Sequence, residues 1–63
     1  MRINELEEVL RSAFGSVQNV RLWSLRDNQT IDFGSAEYIV KEHGYRAVNR
    51  LSAYDNDIVI ITD

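Results

Sequence analysis

The spacing of apolar residues changes along the chain, and each change predicts a different kind of element. Residues 4–14 carry apolar side chains every three to four positions, which is typical of a helix with one buried face. Asn4 fits the N-cap of this helix, with Glu7 three residues later, and Gly15 fits its C-terminal cap. The predicted inner stripe consists of Ile3, Leu6, Val9, Leu10, Ala13 and Phe14.

An alternating pattern follows this helix and predicts a β-hairpin. Residues 26–29 (RDNQ) suit the turn, because Asp and Asn side chains bond readily to nearby backbone. Residues 30–33 then alternate strictly, which predicts a returning strand with Ile31 and Phe33 facing the core. Successive side chains of a strand point to opposite faces. One side of the first strand therefore carries Val20, Leu22 and Ser24. The other side carries Arg21, Trp23 and Leu25.

A second helix and a third strand are predicted next. Ser35 fits the N-cap of the helix and Gly44 fits its end. Residues 48–54 alternate and predict the third strand, with Leu51 and Ala53 on one of its faces. The predicted inner stripe of the helix consists of Ala36, Ile39, Val40 and His43.

The last strand is the most apolar stretch of the chain. Residues 58–61 are four consecutive β-branched apolar residues, which favour a strand that is central or covered on both faces. We therefore expect residues 58–62 to form an inner strand. The order 2-1-4-3 would place strands one and four in the middle of the sheet. An antiparallel order 1-2-3-4 is the simpler alternative, and the pattern leaves both open.

Together these elements predict an α+β fold in the order α-β-β-α-β-β, a four-stranded sheet with two helices packed on one face. A length of 63 residues, of which 44% are apolar, suits a single small domain over residues 1–63. The core of so small a domain contributes only a few kcal/mol of net stability, roughly 3–5. Help from a partner or a second copy is therefore expected.

Charge and composition narrow the setting. The chain has no cysteine, so disulfides and thiolate metal sites are excluded. No apolar stretch approaches the roughly 20 residues that span a bilayer, and the acidic start lacks the apolar core of a signal peptide. A net charge of −3 gives no general attraction to nucleic acid or anionic lipid. We expect a cytoplasmic protein without a membrane contact.

Few residues suggest catalysis or metal binding. His43 is the only histidine, and we expect it to satisfy carbonyls at the end of its helix, where a positive charge is favoured. Residues 55–57 (DND) are followed directly by a strand, so a hairpin turn is expected there rather than a calcium loop. No serine has a recognisable base and orienting group. We expect a protein that is not an enzyme and needs no cofactor.

The side of the sheet without helices is the candidate contact surface. Trp, Tyr and Arg are enriched at binding hot spots, so Arg21, Trp23, Arg50 and Tyr54 are the predicted partner-binding residues. The alternative is that Trp23 and Tyr54 only shield a thin sheet. The predicted members of this side are two apolar residues of the last strand together with Arg21, Trp23, Leu25, Thr30, Asp32, Arg50, Ser52 and Tyr54.

Two functions fit this surface. The first is a protein-binding accessory module that contacts another protein or forms a homodimer. The second is a small nucleic-acid-binding module, since stacked aromatics and arginines can also hold bases. The net charge of −3 makes the second the less expected.

Three segments carry a resemblance in layout: residues 1–6 (MRINEL), 45–48 (YRAV) and 55–60 (DNDIVI). The chain resembles small proteins encoded by phages and prophages of Gram-positive bacteria. Its opening helix followed by strands is also similar to some acidic anti-CRISPR proteins, which bind a nuclease and mimic the charge of DNA. The resemblance implies a non-enzymatic accessory protein in a bacterial host cell, and it assigns no functional residue.

Overall fold

The computed structural model describes residues 1–14, 19–54 and 57–63. A 3₁₀ turn, Ile3–Leu6, continues directly into helix α1, Glu7–Phe14. The remaining elements are β1 (Asn19–Ser24), β2 (Gln29–Ser35), α2 (Ala36–His43), β3 (Arg50–Tyr54) and β4 (Asp57–Thr62). The predicted α+β element order is confirmed.

Some predicted features lie outside the described residues. They are the C-terminal cap at Gly15, the turn at Asp55 and Asn56, and the side chains of Ala13 and Phe14 in the first inner stripe.

The four strands form one sheet in the order β2-β1-β4-β3. β1 and β4 are parallel neighbours in the middle, and each also pairs antiparallel with an outer strand. A strand that is apolar on both sides suits a central position, and β4 occupies one. The first of the two predicted strand orders is therefore the one that occurs.

The core lies between one face of the sheet and the helical segments. The helical segments cover one face only, as predicted. Within the first helical segment, Ile3, Leu6 and Leu10 are buried, whereas Val9 is 46% exposed and lies beside this buried line. The prediction of Val9 as an inner residue is wrong. The buried core cluster consists of Ile3, Leu6, Leu10, Val20, Leu22, Ile39, Ile58 and Ile60.

The N-terminal segment starts differently from the predicted helix. The Arg2 N–H donates to Glu5 Oε1 at 2.9 Å, so Glu5 performs the capping expected of Glu7, and Asn4 lies inside the 3₁₀ turn rather than at the N-cap. The Ile3 N–H also donates to the Arg46 carbonyl at 2.9 Å. This bond to a distant part of the chain helps to fix where the segment starts. Local capping preferences cannot predict such a bond.

Helix α2 begins and ends as predicted. The Ser35 hydroxyl accepts a hydrogen bond from the Tyr38 N–H at 3.1 Å, as an N-cap does. Ile39 is fully buried on its inner side. A Cβ at Gly44 would lie 2.6 Å from the Val40 carbonyl oxygen and 3.1 Å from Asn4 Cβ. The absence of a side chain at Gly44 therefore lets the helix end close to the N-terminal segment.

A bulge in β2 changes which residues face the core. Leu22 pairs with Asp32 but Trp23 pairs with Thr30, so Ile31 is the extra residue on β2. Phe33 consequently pairs with Arg21 on the open face and is 47% exposed. The prediction that Phe33 faces the core is wrong, and so is the prediction that Asp32 lies on the open face. Ile31 packs against the core as expected.

β3 is shorter than predicted and is exposed along its whole length. It starts at Arg50 rather than at Val48, because the Val48 N–H donates to the Met1 carbonyl at 2.8 Å. Leu51 and Ala53 share the helix-side face of β3, but the helices do not reach them and Leu51 remains 36% exposed. The helical layer therefore leaves this edge of the sheet uncovered on both faces.

Candidate functional site

The candidate site is a shallow groove on the open face of the sheet, about 310 Å³ in volume. Its residues come from β1, β3 and β4, and we call it the sheet-face groove. Strand register fixes its layout: Arg21 and Ser52 flank Val59, and Trp23 and Arg50 flank Ile61. The groove is lined by Arg21, Trp23, Arg50, Ser52, Tyr54, Val59 and Ile61.

The four residues predicted to bind a partner all line this groove. Arg21 and Trp23 come from β1 on one side of β4, and Arg50 and Tyr54 come from β3 on the other side. Alternation along the two strands places them on the same face because β1 and β3 both pair in register with β4. Their role in binding stays a prediction, whereas their gathering around one groove is a property of the structure.

The floor of the groove is apolar and its walls are aromatic and cationic. Ile61 is buried and Val59 is half-buried between the two flanking strands. Trp23 is also half-buried, so part of its ring surface remains open to solvent. Tyr54 is 67% exposed at the other wall. An apolar floor below exposed aromatic rings suits contact with another surface better than it suits solvent.

The two arginines of the groove differ in their charge environment. Arg21 Nη2 lies 3.3 Å from Asp57 Oδ2, and its guanidinium lies 5.7 Å from the centre of the Phe33 ring. This carboxylate compensates the positive charge of Arg21 and holds the side chain across the face. Arg50 is exposed and forms no ion pair with a described residue. Arg50 is thus the more available cation for a partner.

Phe33 is a residue of the open face that the sequence pattern did not identify. It lies outside the lining of the groove but adds exposed aromatic surface next to Arg21. The only sequence signal for the bulge that turns it outward is that Asp32 interrupts two apolar residues, which is also the pattern of an ordinary strand. The open face is therefore more aromatic than predicted.

A second group of polar side chains lies on the helix side of the sheet, and we call it the α2–β2 polar cluster. It consists of Asp32, Tyr38, His43 and Arg46. The Tyr38 hydroxyl and His43 Nε2 lie 2.9 Å and 2.7 Å from Asp32 Oδ2. Arg46 Nε donates to His43 Nδ1 at 3.0 Å. Since Nδ1 accepts, Nε2 carries the proton and donates to the carboxylate.

The environment of His43 differs from the prediction. Both ring nitrogens bond to side chains, Asp32 and Arg46, instead of satisfying helix carbonyls. The bulge causes this difference, since it turns Asp32 toward α2. The cluster links β2, α2 and the loop after α2, which is a structural arrangement.

Acid titration should reveal the cluster. Hydrogen bonds from His43 and from the Phe33 N–H hold the pKa of Asp32 below its ordinary value of 3.8. The stabilisation is present above the unfolded pKa and is lost as the pH falls through the lowered folded pKa. We therefore expect Asp32→Asn to lower the free energy of unfolding near neutral pH, with the difference from wild type shrinking below about pH 4.

Urea denaturation of both proteins across this pH range measures the difference. The Tyr38 hydroxyl supplies a second readout, because its donation to Asp32 raises the pKa of Tyr38 above 10.0. Ultraviolet titration should show that this pKa decreases in Asp32→Asn. A wild type and variant with parallel stability curves and identical tyrosine titrations would contradict the geometry of the cluster.

Three further findings bear on chemistry and context. No group of three or more His, Cys, Asp or Glu side chains that could hold a metal ion occurs in the described part of the chain. Within the same residues, no helix is long and apolar enough to cross a membrane. No family model, curated protein or solved structure matches the chain.

Proposed function

We propose that this protein is a non-enzymatic, protein-binding accessory module whose partner docks on the sheet-face groove. The main support is the gathering of Trp23, Tyr54 and Arg50 around an apolar floor on the face that no helix covers. These residue types dominate binding energy at known interfaces, particularly where a central aromatic side chain is enclosed by its neighbours. The accessory role in a bacterial cytoplasm, expected from the layout resemblance to phage-encoded proteins, is part of this proposal.

Trp23 is the proposed anchor of the interface. It lies on a central strand beside Ile61, so its position is held by pairing on both sides, and it remains half-buried in the free protein. A rigid, partly enclosed ring loses little conformational entropy when a partner covers it. Tyr54 and Arg50 at the outer wall can adapt to the partner, since both are exposed.

Charge favours a protein over a nucleic acid as the partner. Asp57 already compensates Arg21 within the groove, which leaves Arg50 as its available cation. Sequence-independent binding to nucleic acid needs several cations directed at phosphates. A protein surface with an apolar patch and a carboxylate that can reach Arg50 fits the groove better.

Trp23→Ala is expected to weaken partner binding by about 2 kcal/mol or more, which is about 30-fold in Kd. The partner can be captured from cells of the native host with immobilised wild-type protein and identified by mass spectrometry. Calorimetry with the purified partner then compares wild type and Trp23→Ala. Tyr45→Ala is the matched control, because Tyr45 is 64% exposed but does not line the groove.

Two outcomes would contradict the proposal. Equal loss of binding in Trp23→Ala and Tyr45→Ala would show that the groove is not the contact. A captured nucleic acid, with affinity that decreases steeply between about 50 and 200 mM salt, would support the nucleic-acid-binding alternative. Thermal melting of Trp23→Ala distinguishes loss of contact from loss of fold, because a core tryptophan would cost about 3–5 kcal/mol of stability.

A further inference from the structure

The outer edge of β3 is an unpaired strand. β3 lies at one end of the sheet, and among residues 1–14, 19–54 and 57–63 it pairs only with β4; all five of its residues are exposed. The N–H and C=O groups along such an edge are available for pairing with another strand. The backbone groups of this edge are distinct from the sheet-face groove, although the side chains of Arg50, Ser52 and Tyr54 line the groove.

The backbone groups available at this edge belong to Leu51 and Ala53. The Ile61 carbonyl accepts from the Asn49 N–H at 2.7 Å on the β3 side, whereas the Thr62 carbonyl accepts from the Leu25 N–H at 2.8 Å on the β1 side. Alternate residues of a strand direct their backbone groups to opposite sides. Arg50 and Ser52 lie opposite Ile61 and Val59, so their backbone groups bond to β4. The backbone N–H and C=O groups of Leu51 and Ala53 therefore point away from β4.

The two edges of the sheet differ in their protection against pairing. β2, at the other end, contains a bulge and the carboxylate of Asp32, and both features discourage a regular partner strand. β3 keeps an unbroken register with β4 and contains no proline, lysine or carboxylate. Its one charge, Arg50, lies at its first position. The β3 edge is open to a regular strand.

We propose that β3 pairs antiparallel with β3 of a second copy of this chain, about a two-fold axis at Ser52. The strand is self-complementary in this register. Leu51 lies opposite Ala53 of the second copy, and each such pair exchanges both N–H···O bonds through the outward groups. Arg50 of each copy lies opposite Tyr54 of the other copy, so this pair occurs twice. A guanidinium over a tyrosine ring is a favourable pair.

The side-chain geometry supports this register. Arg50 and Tyr54 occupy the non-hydrogen-bonded positions of the new ladder, where opposing side chains approach most closely. The dimer has one continuous eight-stranded sheet with the two sheet-face grooves on the same side. Five residues per copy bury less than the standard 800 Å² or so per partner, so the dimer is weak and forms at micromolar concentrations or above.

Sedimentation velocity over a concentration series, up to about 1 mM, measures dimerisation, and two variants test the register. Tyr54→Arg places two guanidinium groups opposite each other in both pairs, and we expect it to weaken dimerisation at least tenfold. Adding Arg50→Glu to it places a carboxylate opposite a guanidinium in both pairs, and we expect the double variant to dimerise at least as well as wild type. Within one chain these positions are about 13 Å apart along the strand, so restoration reports a contact between copies.

Each outcome bears on the proposal. The proposal is overturned if the wild type stays monomeric at the highest concentration. It is also overturned if Tyr54→Arg dimerises like wild type, or if the double variant dimerises as weakly as Tyr54→Arg. Both sites are exposed, so thermal melting should show folded variants. Trp23→Ala separates this proposal from the proposed function, because it should leave the edge dimer intact. Loss of the dimer in Trp23→Ala would place self-association on the face instead and overturn the edge pairing.

Discussion

Replacement of Ile60 by aspartate is expected to unfold the protein. Ile60 is fully buried in the central strand β4, between Leu22 of β1 and Leu51 of β3. A carboxylate at this position would have no cation or hydrogen-bond donor among the apolar side chains of the core cluster. Burying an unpaired charge costs several kcal/mol, which is about the whole stability of a domain of this size.

Leu51→Asp is the matched control for this experiment. Leu51 pairs directly with Ile60 and lies on the same face of the sheet, but it is 36% exposed at the edge, where water can solvate the new charge. We expect Leu51→Asp to retain a cooperative transition, with a loss of about 1 kcal/mol. Circular dichroism and urea denaturation compare both variants with wild type. A folded Ile60→Asp variant with wild-type stability would contradict the position of β4 in the core.

Ile3→Ala is expected to lower the free energy of unfolding by about 2–5 kcal/mol, the usual range for loss of a buried isoleucine. Ile3 is fully buried in the core cluster although it lies third in the chain. Its N–H also bonds to the Arg46 carbonyl, so the surrounding backbone is fixed and cannot easily collapse into the cavity. An uncompensated cavity gives the upper part of this range.

Val9→Ala is the natural comparison, because the apolar pattern assigned Val9 and Ile3 to the same inner stripe. Val9 is 46% exposed, so its truncation should cost less than about 1 kcal/mol. Urea denaturation of both variants measures the difference. Equal losses would show that the first helical segment packs on the sheet through a different side from the one described.

The element types and their order could be read from the sequence because each depends on local spacing. An apolar period near 3.6 indicates a helix and a period near 2 indicates a strand. The backbone geometry of the element sets this period, independently of the segment that packs against it. The run at residues 58–61 also predicted an inner strand, and β4 is a central strand. The same logic placed Arg21, Trp23, Arg50 and Tyr54 on one face, and the structure gathers them around the sheet-face groove.

The strand order depended on tertiary structure. Local spacing is the same in the orders 2-1-4-3 and 1-2-3-4. The pairing of β1 with β4 distinguishes them, and its paired residues are 38 positions apart in sequence. The parallel pairing brings both walls of the groove to one central strand. In the alternative order the second hairpin would follow the first, and Trp23 and Arg50 would not flank Ile61.

The largest departures from the sequence pattern occur where distant segments meet. The bulge opposite Leu22 and Trp23 turns Asp32 toward α2 and Phe33 toward the open face, which a strict period of two cannot represent. Bonds from the N-terminal segment to residues 46 and 48 help to set the start of the 3₁₀ turn and shorten β3. Local preferences determined which elements this chain forms, whereas contacts between distant segments decided their bounds, their pairing and the final facing of these residues.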